Sequence, residues 1–357
     1  MWILEGEQRS DGTPVRILYI GERRNREYLR RMVFGDKGTQ TFKGSVTNRK
    51  LHVTWCKHAT DVDLVIIKTP KAVKALVEQA FFSIPVWIDV LHDLDKVPAL
   101  LKSSQDVKGD LRRIRKNRFT YKIVTDPASF DDFYHHMYLP YVLSRHGEAA
   151  MPITYEQMKK NVPRSELLLI MQNGEALGGV MLVYGEGEVH SWKMGVRDGD
   201  AALAKQSLEA ATYVFTAQYL KDKGLKTMNL GGTRAFLRDG QFTFKKKWGI
   251  TLGRSWDQYF YVKVMRTSQG ARAFLAHNPF LHLVDGEYCG AAFIADAAQI
   301  TEKALSKLIR ECRVDGMREL TLHCLEGDSQ MLDAASLGND VRVRSDNALW
   351  PTDGPSA

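Results

Sequence analysis

The chain contains no run of about eighteen apolar residues, so no membrane-spanning helix is expected. Cysteine is scarce and scattered: Cys56, Cys289, Cys312 and Cys324 form no CxxC pair. Thiols so placed fit a reduced, cytoplasmic setting and give no disulfide framework. The opening MWILEGEQRS carries Glu5 and Glu7 and no apolar stretch, so no signal peptide is expected. HExxH, GxSxG, the phosphate-loop motif and the dinucleotide fingerprint are all missing, which removes the commonest protease, esterase, nucleotidase and dehydrogenase readings. His52, Cys56 and His58 offer three ligands without a fourth nearby, a poor metal set, and no metal is expected. Internal repeats and low-complexity segments are absent too.

What is present describes a globular chain: 357 residues, 44% hydrophobic and 26% charged, with a net charge of +8. That length predicts two domains, or three if one is small. The positive excess suits a phosphorylated small molecule, a nucleic acid or an anionic membrane surface as partner, and equally a basic surface with no partner at all.

Residues 1–103 read as a small α/β domain. Val15–Ile20, Asp63–Ile67 and Ile84–Val90 have strand character, Glu22–Val33 and Pro70–Phe81 helix character, and Gly35–Lys50 reads as a loop. A basic helix, Ser104–Asn117, carries Arg112, Arg113, Arg115 and Lys116 and opens the next domain, 104–265. There Phe119–Thr125 is a strand. Pro127 opens a helix reaching Arg145, with a kink expected at Pro140. Thr154-Tyr-Glu-Gln157 is a capping box. Glu166–Gln172 and Glu175–Tyr184 are strands joined by Asn173-Gly174, a strong hairpin signal, and Glu188–Val196 completes a meander. Asp200 caps a long helix that stops at Gly224. Short strands follow at Thr227–Leu230, Gln241–Trp248 and Ser255–Val264. Residues 266–350 read as a βαβ subdomain, and 351–357 as a disordered tail.

The order is therefore strand, two helices, three strands, a helix and three strands, in a mixed α/β (α+β) chain. It is the element order of the GNAT fold. Two stretches then resemble the FemAB-like branch of the GNAT acyltransferases: Gly231-Gly-Thr-Arg234 through Asp239-Gly240, and Phe244-Lys245-Lys246-Lys247-Trp248-Gly249. The Arg112–Lys116 helix and the run Tyr138-Leu-Pro-Tyr141…Arg145-His146-Gly147 are similar to the same group. The resemblance implies a GNAT-like central mixed sheet whose fourth and fifth strands splay. An acyl donor would lie there along Trp192, Met194, Gly195 and Val196, and pass its acyl group directly to an amine. It also implies that residues 1–103 form a degenerate second GNAT-like half. One departure concerns acyl-CoA. Gly195-Val-Arg-Asp198-Gly-Asp200 lacks the glycine-rich phosphate loop and sets two aspartates where an anion would lie. Aminoacyl-tRNA is the other donor that the resemblance offers.

Candidate roles follow. On a strand, Lys245 and Lys247 share one face and would clamp a phosphate or carboxylate with Arg234, while Phe244 and Trp248 share the other. The bland reading is an edge strand guarded by lysines. Gly231 and Gly232 suit a turn or a close approach to ligand. Tyr134, Tyr138, Tyr141 and Arg145 fall on one helical stripe that lines an acceptor cleft or merely edges the core. His146 is the first candidate base and His190 the second, with Glu148 and Asp239 weaker. The expectation is an N-acyltransferase acting on a phosphate-bearing sugar or cell-envelope precursor. The alternative is a non-catalytic module that binds RNA, tRNA included, on its basic face.

Overall fold

The computed structural model describes residues 1–47, 57–58, 60–69, 82–103, 105–147, 150, 152–328, 332 and 337–345. The fold is mixed α/β, with three sheets. The chain divides into two compact units: Met1–Ile88, Thr233–Thr243 and Arg254–Ala357 form one, and Asp89–Gly232 with Phe244–Gly253 the other. This division differs from the ranges 1–103, 104–265 and 266–350 read from the sequence.

The first unit holds β1 (Trp2–Glu7), β2 (Pro14–Ile20), α1 (Arg23–Phe34), β3 (Thr39–Phe42), β4 (Leu64–Thr69) and β5 (Phe82–Pro85). Strands β1 and β3 were not expected from the sequence: β3 is four residues, three of them polar, and β1 carries Glu5, Gly6 and Glu7 in its second half. The strand expected over 84–90 is two strands, the second being β6 (Ile88–Asp93), which joins another sheet. In the six-stranded sheet the order is β3-β1-β2-β4-β13-β5. Its β13 (Tyr259–Val264) lies antiparallel to both β4 and β5, which is why residues beyond 253 belong with the first 88. Asp63 fastens the two stretches: its backbone oxygen takes the Met265 N–H at 2.8 Å and its carboxylate the Ser268 hydroxyl at 2.6 Å. Behind α10 (Gln269–His277), a four-stranded sheet follows, ordered β14 (Phe280–Val284), β15 (Glu287–Ile294), β16 (Glu319–Cys324), β17 (Val341–Ser345). Strands β15 and β16 run parallel across a helix at Glu302–Cys312, the expected βαβ unit. The helix expected at Pro70–Phe81 and the tail 351–357 lie outside the described residues.

The second unit carries a seven-stranded sheet of order β12-β6-β11-β10-β9-β8-β7. It contains α2 (Val97–Ser103), α3 (Gln105–Lys116), β7 (Thr120–Val124), α4 (Pro127–Asp132), α5 (Leu139–His146), α6 (Tyr155–Lys159), β8 (Ser165–Gln172), β9 (Glu175–Tyr184) and β10 (Val189–Val196). After these come α7 (Ala201–Lys205), α8 (Leu208–Asp222), β11 (Thr227–Thr233), α9 (Gly240–Lys246) and β12 (Ile250–Ser255). Strands β7 to β10 form the antiparallel meander, with Asn173 and Gly174 both at positive φ in the hairpin turn. The capping box forms as read: Thr154 accepts from the Gln157 N–H and Gln157 from the Thr154 N–H.

Three expectations are corrected. The kink expected from Pro140 is a π-helical turn, Phe133–Tyr138, between α4 and α5. The widened turn precedes a residue that has no N–H to donate. The long helix expected from Asp200 is two helices, since Ser207 sits at φ 71 between them. The strand expected over 241–248 is α9, because Asp239 Oδ1 accepts from the Gln241 and Phe242 N–H groups and starts a helix there. Buried Phe242, Lys245 and Trp248 then recur every three residues, which a helix satisfies and a strand does not.

Candidate active site

In the second unit β10 and β11 run parallel but share one register pair, His190↔Asn229. Beyond it, Ser191–Val196 has no ladder partner on β11, while the other edge of β10 pairs with β9 as far as Val196. Local chemistry explains the parting. Asn229 Oδ1 takes the Gly231 N–H at 2.7 Å, and Gly231 turns at φ 70, where glycine carries no penalty. Lys245 Nζ then donates to the carbonyls of Leu230, Gly231 and Gly232 at 2.8, 3.1 and 2.8 Å. An ammonium satisfies these groups where a neighbouring strand would otherwise serve. Opposite, β10 is bulged: register slips between Ser191 and Lys193, leaving Trp192 unpaired. Gly195 lets the π-helical turn lie directly on this strand, since a Cβ there would meet Met137 C and Tyr138 N at 2.6 Å. Among the described residues, β11 therefore gives this edge of β10 no ladder partner beyond His190.

A polar group stands at the pair where the strands part. His190 Nε2 lies 3.0 Å from Glu188 Oε2. Asn229 Nδ2 donates to Glu188 Oε1 at 2.9 Å. A carboxylate only accepts, so this contact takes an Nε2–H donor on His190; Asn229 Nδ2 also lies 3.4 Å from that nitrogen. Glu188 thus holds His190 by one ring nitrogen and Asn229 by its amide.

Lys193, next to the bulge, was not singled out from the sequence. It sits opposite Met181 on β9, and Met181 belongs to an apolar cluster with Phe130, Phe133, Met137 and Tyr138. Its Nζ lies 5.0 Å from the Trp192 ring centre, and no carboxylate is paired with it among the described residues. Burial pushes this ammonium below the usual lysine value. A lysine in an apolar strand next to Trp192 was the available signal.

The remaining candidates are differently placed. Lys245 and Lys247 do not share an exposed face. Lys245 is buried on the three carbonyls, and Lys247 Nζ pairs with Asp110 Oδ2 at 2.6 Å. Trp248 is buried, stacked on Tyr213 with ring centres 5.0 Å apart, so it is core. The Tyr/Arg stripe is spoken for. Tyr138 Oη accepts the Ile153 N–H and Tyr134 Oη donates to the Ile153 carbonyl, both at 2.9 Å. Tyr141 Oη donates to Glu209 at 2.7 Å, and Arg145 pairs with that same carboxylate. Trp192 packs against the apolar cluster, and Met194, Gly195 and Val196 pair with Val180, Gly179 and Gly178. His146 ends α5; its side chain and Glu148 lie outside the described residues. Arg234 and Asp239 lie in the first unit with partners of their own.

The start of α8 bears on an anionic donor. Asp110 Oδ1 accepts from the Ser207 hydroxyl at 3.0 Å and from Arg113 Nη2 at 2.6 Å. A buried carboxylate therefore lies beside the residue that precedes α8, where a second anion would be repelled. Lys247 and Arg113 hold the Asp110 carboxyl below the usual carboxylate range, against the opposing effect of burial. Among the described residues, no group of three or more His, Cys, Asp or Glu is placed to hold a metal ion. No helix among them is long and apolar enough to cross a membrane.

No family model and no curated protein matches the chain. Solved structures do. One is FemX, at 14% identity over 73% of this chain and 83% of that one, with a TM-score of 0.40. A second is the C-terminal domain (DUF2156) of a putative lysylphosphatidylglycerol synthetase from Agrobacterium fabrum, at 14% identity over 76% and 83%, with a TM-score of 0.36. A third is a GCN5-related N-acetyltransferase from Sphaerobacter thermophilus, at 14% identity over 57% and 60%, with a TM-score of 0.32.

Proposed function

We propose that the chain is an N-acyltransferase whose donor lies along the free edge of β10. The observation that carries this reading is the single pair His190↔Asn229 with an unpaired edge beyond it. Backbone N–H groups on that edge would polarise the carbonyl of a thioester or ester. The acceptor amine would attack that carbon, the leaving sulfur or oxygen would depart, and His190 Nδ1 would take the proton the amine loses. Holding donor and amine together would supply most of the rate. The proposed acceptor is the amine, or a hydroxyl, of a phosphate-bearing sugar or cell-envelope precursor in the cytoplasm. The proposed donor is acyl-CoA or aminoacyl-tRNA. Asp110 at the start of α8 favours a donor that does not place its pyrophosphate there. His146, the first candidate base read from the sequence, becomes the alternative to His190.

That same aspartate supports the alternative of a non-catalytic RNA-binding module. Incubation with acyl-CoA or charged tRNA and amine acceptors, read by mass spectrometry, tests the first reading. A transferred group that disappears in His190→Ala, with a kcat loss of about 10²–10⁴-fold, is the expected outcome. No transfer, together with thermal stabilisation by uncharged tRNA alone and steep salt dependence, would favour the binding module.

A further inference from the structure

The first unit buries an arginine with no carboxylate on it. Arg234 is 5% exposed. Its guanidinium carbon lies over two rings, 4.1 Å from the Tyr28 centre and 4.0 Å from that of Trp87. Nη1 donates to Asn25 Oδ1 at 2.9 Å and to the Val86 carbonyl at 3.3 Å. Nε and Nη2 make no hydrogen bond with the described residues, and neither is among the atoms sealed from solvent. One edge of a rigid, oriented fork is therefore open.

The surroundings add positive charge. Helix α1 begins Arg23-Arg24-Asn25-Arg26 with no acidic residue in its first turn. That reverses the usual preference at a helix N-terminus, where carboxylates are stabilised and cations are not. Arg24 lies 5.9 Å from the Trp87 ring centre and acts on Arg234 by like-charge repulsion. Arg26 is buried 3.6 Å from the Trp2 ring centre, again with no carboxylate paired to it among the described residues. The nearby acids are engaged: Glu22 pairs with Lys68 at 3.1 Å, and Asp239 accepts from the Tyr28 hydroxyl at 3.1 Å. Burial, followed by Arg24, pushes Arg234 down to about 10, while Tyr28 and Asp239 act the other way. A stacked guanidinium without a counter-charge is costly unless something supplies the anion.

We propose that Arg234 and Arg24, with the Trp87–Trp256 wall beside them, form a binding site for the oxyanion of a ligand, a phosphate ester or a carboxylate. The open edge of the guanidinium matches two oxygens of such a group. Trp256 is 45% exposed, with its ring centre 6.0 Å from that of Trp87, and offers a surface to whatever flat or apolar part the anion carries. The site stands independently of the transferase reading, because its test is binding and not turnover.

Calorimetric titration of the full chain at constant ionic strength tests it, using inorganic phosphate, pyrophosphate, a nucleoside diphosphate and acetate. At least one should bind, and Arg24→Ala should weaken that binding by about tenfold or more. Arg234→Lys should weaken it further; should that variant fail to fold, exposed Arg24 and Trp256→Ala still carry the test. Preference for acetate would assign a carboxylate, preference for phosphate a phosphate ester. Tighter binding of the nucleoside diphosphate than of pyrophosphate, lost in Trp256→Ala, would place a ring on the tryptophan wall. Failure of all four to bind, or affinities unchanged in Arg24→Ala and Arg234→Lys, would overturn the proposal.

Discussion

A charged side chain in a protein is defined by what answers it. Lys245, Lys247, Arg145 and Arg113 all looked from the sequence like free cations, yet each is answered internally, by carbonyls or by carboxylates. Lys193 and Arg234 differ in having no carboxylate paired with them among the described residues. Lys193 sits in apolar surroundings with its folded-state pKa lowered. In the range between that value and the ordinary lysine value, the unfolded chain binds more protons, so stability rises with pH there. Below both values the full cost of burying the charge applies. Lys193→Met is therefore expected to raise the thermal midpoint at pH 7, with a gain that shrinks as pH approaches 10. A midpoint that falls at pH 7 would mean that Lys193 has a partner in solution. The sequence shows the lysine but not its surroundings, because the bulge that sets it opposite Met181 depends on pairing with β9.

At the scale of elements, the departure of β11 from β10 is held by one side chain on α9. Lys245→Met would leave the carbonyls of Leu230, Gly231 and Gly232 without their donor, at a cost of about 1–3 kcal/mol. Urea unfolding should report that loss. A raised KM with unchanged stability, the outcome a surface clamp predicts, would contradict the assignment. The misreading of α9 as a strand has a definite source. Phe242, Phe244 and Trp248 fall on one face at a period of two, with Thr243, Lys245 and Lys247 on the other, which imitates a strand. Asp239-Gly240 was a helix start in plain view, and the capping hydrogen bonds to Gln241 and Phe242 use it as such. By contrast, the meander was legible because Asn173-Gly174 needs two positive φ angles that few other dipeptides adopt.

For the whole molecule, the chief pH-sensitive groups of the core are buried histidines. Burial pushes His92 down to about 4, against a hydrogen bond to the Gly249 backbone and the charge of Asp93 that oppose the shift; burial likewise lowers His282 to about 4. Each is neutral in the folded chain, while the unfolded chain protonates near 6.5. Below that value the unfolded state binds more protons, so stability is whole above about pH 6.5 and falls as pH drops towards 4. For His92, which is 1% exposed, the loss amounts to about 3 kcal/mol. Urea midpoints at pH 7 and pH 4.5 should differ by less in His92→Asn than in the parent chain. Equal differences would show that His92 does not drive the acid transition.

Local signals in the sequence determined most elements of the second unit: the hairpin, the capping box, the basic helix and the order from β7 to β11. Each depends on residues within a few positions of one another, so the letters suffice. The grouping of residues 254–345 with the first 88 was decided by tertiary structure alone, because β13 pairs with β4 and β5 across nearly two hundred residues. So was the fate of the cations. Whether an arginine meets a carboxylate, a carbonyl or two aromatic rings depends on distant chain segments brought together by burial, and no local pattern encodes that meeting.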